Sequence, residues 1–282
     1  MIEAYLESRR ELVEGYLSAY LAQRAGEFPE RLHAAINYAL EGGKRLRPIL
    51  LVAAAEAVGG AAEGVLPTAA AVELFHTYSL IHDDLPALDD ATWRRERLSA
   101  HRVFGEAVAL LAGDALIPLG FELIAKEQAK LSPEDRVLRV IDLMSEALGP
   151  IGMVGGQLLE LEATEALPDE ALLAEIYAKK TAALLGASLA AGGVLGGGTE
   201  SEIEALQAFG QGLGLAYQLV DDLLDFGEDA RPTYAHLLGE RAARAEAERL
   251  TAEALAALEP LGKRDGAQTL RALGEWLLSR RV

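Results

Sequence analysis

The sequence predicts an all-α fold in one domain spanning residues 1–282. Three observations predict it. Runs rich in Ala, Leu and Glu alternate with short Gly/Pro breaks along nearly the whole chain. Aromatic residues make up only 6% of the sequence, so the core must be built mainly from Ala, Leu, Val and Ile, which favours close-packed helices over a β-sandwich. No segment alternates with period two for long enough to suggest a sheet. No Pro-, Ser- or charge-rich linker divides the chain, and no solenoid repeat appears.

The Gly/Pro breaks set the elements in order. Helices are expected at 2–24, 29–41, 46–59, 65–84, 104–128, 133–149, 152–162, 169–192, 200–226, 233–258 and 265–280. Gly42-Gly43 ends the second, Pro86 bars the fourth from continuing without a kink, and the Gly-rich 192–198 segment reads as a loop. Gly210, Gly212 and Gly214 recur in a helical context. No strand precedes them, so they are not a dinucleotide fingerprint; the Gly210/Gly214 spacing points instead to a tight helix–helix approach.

Composition excludes several functions. The formal charge is −18, which argues against a general nucleic-acid binder, since that needs a basic surface. There are no cysteines, so disulfides, thiolate metal sites and a Cys nucleophile are out, and a cytoplasmic location is compatible. The N-terminal residues Met1 to Glu7 have neither a basic nor an apolar region of the signal-peptide kind. Thr181–Thr199 is uncharged and approaches membrane-spanning length. Its Ala/Gly content favours a buried small-residue helix, and no membrane span is expected.

Three clusters could carry chemistry. Asp83-Asp84-Leu85-Pro86-Ala87-Leu88-Asp89-Asp90 puts four carboxylates within eight residues at the end of a helix, where the helix dipole disfavours anions. Hard divalent cations such as Mg²⁺ would offset the repulsion; a solvated acidic turn is the alternative. Asp221-Asp222-Leu223-Leu224-Asp225 gathers three carboxylates on a helix with apolar flanks, which is costly without cations; metal site and surface cluster stand level. Gly42-Gly43-Lys44-Arg45-Leu46-Arg47 brings backbone N–H groups and three cations to a helix start, an arrangement suited to phosphate, although basic interhelical loops are common. Arg94-Arg95 and Lys179-Lys180-Thr181 are further basic groups. A diphosphate substrate with an apolar tail, bridged to the aspartates by Mg²⁺ and neutralised by Lys and Arg, accounts for all of them together.

These residues, in this order, resemble the trans-isoprenyl diphosphate synthases, most closely the bacterial farnesyl and geranylgeranyl diphosphate synthases. The resemblance also runs through His76-Thr77-Tyr78-Ser79-Leu80-Ile81-His82, Phe104-Gly105-Glu106-Ala107, Leu111-Ala112-Gly113-Asp114, Gly155-Gly156-Gln157 and Tyr217-Gln218-Leu219-Val220. It implies a helical bundle of the isoprenoid synthase type around a deep central cavity, working as a homodimer. It implies that three Mg²⁺ ions are held by Asp83, Asp84 and Asp89 and by Asp221, Asp222 and Asp225. Arg94, Lys180, Thr181 and Gln218 would bind the allylic diphosphate, and Lys44, Arg47, His76 and Arg95 isopentenyl diphosphate. Gln157 would line the site, Tyr78 would close the pocket floor, and His82 would support the first aspartate motif from behind.

The implied reaction is head-to-tail condensation of isopentenyl diphosphate with dimethylallyl or geranyl diphosphate to give farnesyl diphosphate, with geranylgeranyl diphosphate as runner-up. The sequence departs from the family pattern in places. The loop after Asp225 is shorter and lacks its Gly-Lys, with Arg231 as a stand-in for a later Lys. Glu96-Arg97-Leu98-Ser99 replaces Gly-Lys-Pro-Thr, and Glu160 stands where Asp is usual. The short loop motivates a second reading, a diverged low-activity prenyl diphosphate binder or partner subunit. A terpene cyclase would have no use for the isopentenyl diphosphate residues. Arg280-Arg281 reads as a solvated tail.

Overall fold

The computed structural model describes residues 2–163, 169–224 and 233–278. Its helices are, in chain order, α1 (Ile2–Gln23), α2 (Glu30–Leu40), α3 (Leu46–Ala57), α4 (Leu66–Asp83), α5 (Ala100–Phe104), α6 (Glu106–Glu122), α7 (Glu134–Leu148), α8 (Met153–Ala163), α9 (Glu170–Tyr177), α10 (Ala183–Gly196), α11 (Glu200–Leu224), α12 (Tyr234–Leu238), α13 (Glu240–Ala257) and α14 (Asp265–Leu278). The fold is all-α, as the composition predicts. The β-structure among the described residues is one hairpin, in which β1 (Trp93–Arg94) pairs antiparallel with β2 (Arg97–Leu98). Two residues per strand are too few for a period-two signal.

Three expected helices are interrupted, each at a nameable place. The segment expected at 104–128 is broken at Gly105, whose φ of 87° ends α5 and opens α6; beyond α6 a π-helical turn covers Leu123–Glu127. Gly239, at φ 77°, divides the stretch expected at 233–258 into α12 and α13. Between α9 and α10 a π-helical turn, Ala178–Ala182, carries Lys179, Lys180 and Thr181. The expected loop at 192–198 is largely helix instead. α10 runs to Gly196 and stops at Gly197 in the left-handed conformation (φ 84°). Packing rather than flexibility explains its glycines, since a Cβ at Gly192 would stand 2.2 Å from the Leu51 carbonyl oxygen.

The described residues cluster into two compact units, one of Glu3–Ile49 and Glu63–Val137, the other of Leu50–Ala62 and Leu138 onwards. In the first, α4 is the central element, with thirteen of its residues buried, among them Thr68, Glu73 and Thr77. Its N-terminal N–H groups lack a capping side chain from Val65. Gln128 serves instead: its Oε1 accepts from the Thr68 N–H at 3.4 Å and from Thr68 Oγ1 at 3.0 Å, and its Nε2 donates to the Gly64 carbonyl at 2.7 Å. α6 lies close against α4 because Gly120 and Gly113 leave room for Phe75 and His82; a Cβ at either glycine would stand under 2.5 Å from the ring. The stretch Glu106–Lys130 is long and apolar enough to cross a membrane by length and composition alone. Its contacts with α4 give that composition a role in the core of this unit.

In the second unit α10 is buried from Leu184 to Leu195 and meets α11 along a seam of small residues. A Cβ at Gly210 would lie 2.8 Å from Gly186 Cα, and one at Gly214 2.6 Å from Ala182 Cα. That is the tight approach the glycine spacing predicts. The other side of α11 packs on α13, where Gly212 faces Ala254. The uncharged Thr181–Thr199 stretch is thus mostly the buried helix expected of it.

Candidate active site

In the first unit, the acidic cluster forms where α4 ends. Asp83 is its last residue and Asp84 caps it. Pro86 cannot extend the helix, and the chain folds back until the Asp89 N–H donates to the Asp83 carbonyl at 3.0 Å. Two aspartates six positions apart in sequence thereby become neighbours. Asp84 takes a different course. It is 3% exposed and bound by Arg94, with Nε donating to Oδ1 at 3.0 Å and Nη2 to the same oxygen at 2.5 Å. Burial pulls the Arg94 pKa down, but Asp84, Asp83 and Asp89 outweigh it and hold it above the usual guanidinium value.

The basic side of this unit converges on α4. Arg47 Nη1 lies 3.2 Å from His76 Nε2. An arginine can only donate, so this contact needs His76 Nε2 to accept. The electrostatics agree: burial, then the charges of Arg47, Arg95, Arg94 and Arg45, push the His76 pKa well below its ordinary value. Lys44 is exposed. Arg95 Nη1 donates to the carbonyls of Ala39 (3.2 Å) and Gly42 (3.1 Å). Its pKa is lowered, chiefly by burial with help from Arg45 and Arg94, against the pull of Glu73. Tyr78 is buried at 6% exposure, edge-on to His82 at 5.7 Å between ring centroids. Burial, then the Asp83 charge, pushes its pKa up to about 12. His82 Nε2 lies 3.2 Å from the Leu110 carbonyl on α6.

The second unit carries a separate polar chain. Tyr177 Oη donates to Asp222 Oδ2 at 2.5 Å, Gln218 Nε2 to Asp222 Oδ1 at 3.2 Å, and Thr181 Oγ1 to Gln218 Oε1 at 3.1 Å. The Lys180 ammonium pairs with Glu160. Gly156 lets α8 approach this π-helical turn, since a Cβ there would stand 2.6 Å from Lys180 N. Gln157 is partly buried on α8 and Asp221 partly exposed on α11.

Sequence reading placed all six motif aspartates on metal, and the geometry divides them. Asp84 and Asp222 are buried and have their carboxylate oxygens engaged by Arg94, and by Tyr177 and Gln218. Asp225, Arg231 and Arg280-Arg281 lie outside the described residues. Among the described residues no three Asp, Glu or His side chains converge into a ready-made metal site. Asp83 and Asp89 still offer hard oxygen donors side by side at the negative end of a helix, a donor set that fits Mg²⁺. Two contributors were missed, Glu73 and Tyr177. Arg45, read with Lys44 and Arg47 as a phosphate-facing cation, turns inward to Glu73 instead (2.7 Å), and Tyr177 anchors Asp222. For Glu73 the signal was a lone acid in the apolar run from Leu66 to Phe75; for Tyr177 the sequence carried none.

The first unit thus presents acids and bases suited to a diphosphate, on a helical frame with an apolar interior. Known proteins give the class. The polyprenyl synthetase family pattern matches residues 29–238. A dimethylallyltranstransferase of Fischerella ambigua (strain UTEX 1903) is 41% identical, over 98% of this chain and 83% of its own. The heterodimeric geranylgeranyl pyrophosphate synthase large subunit 1, chloroplastic, of Arabidopsis thaliana is 40% identical, over 89% of this chain and 72% of its own. The apo crystal structure of a FPP/GFPP synthase from Zymomonas mobilis superposes with a TM-score of 0.89 at 34% identity, over 98% of both chains. The chain belongs to the polyprenyl synthetase family. Its activity is that of a trans-prenyl diphosphate synthase.

Proposed function

We propose that this synthase condenses isopentenyl diphosphate with dimethylallyl or geranyl diphosphate and releases farnesyl diphosphate. The observation that carries the chain length is Tyr78, a buried aromatic on α4 five residues before Asp83, roughly 7.5 Å along a helix axis. A side chain of that bulk below the reacting carbon limits the tail that fits. The relatives named as geranylgeranyl diphosphate synthases favour a C20 product as the second reading.

In this proposal Asp83, Asp89 and Asp221 hold Mg²⁺. When bound, Mg²⁺ supplies positive charge against the departing diphosphate. Asp84 and Asp222 act one step back, Asp84 by fixing Arg94 and Asp222 by fixing Gln218. Arg94, Lys180, Thr181 and Gln218 hold the allylic diphosphate, and Lys44, Arg47, His76 and Arg95 hold isopentenyl diphosphate. Gln157 lines the site. Apolar walls exclude water while the allylic C–O bond breaks. The isopentenyl alkene then attacks C1, and the released diphosphate takes the proton lost from the product.

The family match runs through both compact units, which supports one catalytic domain. An open groove of about 490 Å³ on the first unit, lined by Pro29, Leu32, Val108, Leu111 and Ala115 together with Arg31 and Asp114, supports a homodimer. Absence of cysteine suits a cytoplasmic home.

A product assay tests the function. Purified protein, isopentenyl diphosphate and either dimethylallyl or geranyl diphosphate are incubated with Mg²⁺, with and without EDTA, and the dephosphorylated products are identified by mass spectrometry. Farnesol that vanishes with EDTA is expected, and Tyr78→Ala should shift the product to C20 or longer. Geranylgeraniol from the unaltered protein would reject the Tyr78 floor. No condensation with either starter would turn the case toward a partner subunit.

A further inference from the structure

α4 buries a carboxylate. Glu73 is 1% exposed, in the middle of a helix whose neighbouring residues Val72, Leu74 and Phe75 are fully buried. A carboxylate persists in such a place only when paired and hydrogen-bonded. Two guanidinium groups answer it. Arg45 Nη1 donates to Glu73 Oε1 at 2.7 Å, and Arg95 Nη2 lies 3.3 Å from the same oxygen. Arg45 comes from the loop after α2 with φ 51°, and Arg95 from the hairpin turn with φ 53°, both left-handed. Arg45 is also held by the Leu40 carbonyl and, at 3.3 Å, by Glu14. Arg95 is fixed on its other edge by the carbonyls of Ala39 and Gly42, and its guanidinium lies over Gly43, where a Cβ would stand 2.7 Å from Cζ.

Glu73 and His76 sit one turn apart on α4, and residues three apart share a helix face. One turn of α4 therefore fixes two cations: Arg95 through Glu73, and Arg47 through its contact with His76. These are two of the groups to which the proposed function gives the isopentenyl diphosphate, and the inference rests on that reading. We propose that Glu73 is a positioning residue for that substrate, one that aims Arg95 at the diphosphate without touching it.

The sign of the effect separates positioning from mere charge. Neutralising Glu73 leaves more positive charge beside the site. If Arg95 kept its place, the diphosphate would bind more tightly; if Glu73 aims Arg95, it binds more weakly.

The test is calorimetric binding of isopentenyl diphosphate to the full chain and to Glu73→Gln, with steady-state kinetics and melting temperature alongside. The Kd and KM for isopentenyl diphosphate should rise roughly ten-fold, as a misaimed contact predicts, while the KM for geranyl diphosphate stays within about two-fold. Should Glu73→Gln fail to fold, Arg45→Met/Glu73→Gln removes one charge of each sign and still takes the anchor from Arg95, with the same rise expected. Unchanged or tighter binding in the variant, with a wild type that binds, overturns this inference alone. A wild type that does not bind isopentenyl diphosphate overturns the proposed function and this inference with it.

Discussion

His76 has a proton affinity set by its neighbours. Burial, then the charges of four arginines, Arg47, Arg95, Arg94 and Arg45, holds its pKa well below the ordinary value near 6.5. The unfolded chain gains a proton near that pH, and the folded chain does not until far lower. The proton therefore favours unfolding, and stability falls as pH drops below about 6.5. His76→Gln removes this coupling, so its melting temperature should decline less between pH 7 and pH 5 than that of the unaltered protein; equal slopes would show that His76 carries no such penalty. The two aspartate clusters and the pair Arg94-Arg95 were legible in the sequence as clusters of charge, and His76 only through the family resemblance. The direction in which a side chain turns was not. Asp84 faces inward to Arg94 while Asp83 ends the helix, and nothing in two identical adjacent letters tells them apart. Arg45, between Lys44 and Arg47, turns to Glu73 because its left-handed φ aims it into the core.

At the scale of elements, glycine carries opposite meanings in two helices. Gly214 on α11 faces Ala182, and a Cβ there would stand 2.6 Å from backbone Cα. Gly15 on α1 is exposed, with nothing within 4 Å. Gly214→Ala should destabilise by about 1–3 kcal/mol through overpacking. Gly15→Ala should stabilise by about 0.5–1 kcal/mol, since alanine gives up less backbone entropy in a helix. Urea denaturation of both variants checks the pair; the same sign for both would contradict the packing of α11 on the π-helical turn that ends at Ala182. Helix boundaries were legible wherever Gly or Pro punctuated an apolar run, as at Gly42 and Pro86. They failed at 192–198, because a glycine tract reads the same whether it loosens a loop or lets two helices touch. The hairpin Trp93–Leu98 and the π-helical turn at Lys180 left no periodic trace at all.

At the scale of the whole molecule, the proposed homodimer predicts a light-scattering mass of twice the chain's 30.0 kDa. Leu111 is 57% exposed on the open groove, so Leu111→Asp should reduce that mass to one chain; a dimer that survives the change would place the interface elsewhere. The overall charge of −18 contrasts with the four arginines, Arg45, Arg47, Arg94 and Arg95, that act on His76 of α4, and a local cluster of one sign attracts anions. Those arginines also bear on how the chain folds. The Glu73 network joins Glu14 on α1, carbonyls at the end of α2, Arg45, α4 and the hairpin that follows it. Contacts between residues so far apart in sequence form only after the chain has closed long loops. The anion-holding arrangement therefore exists only in the folded chain. A diphosphate that binds it stabilises that chain by mass action, and the melting temperature rises with its concentration.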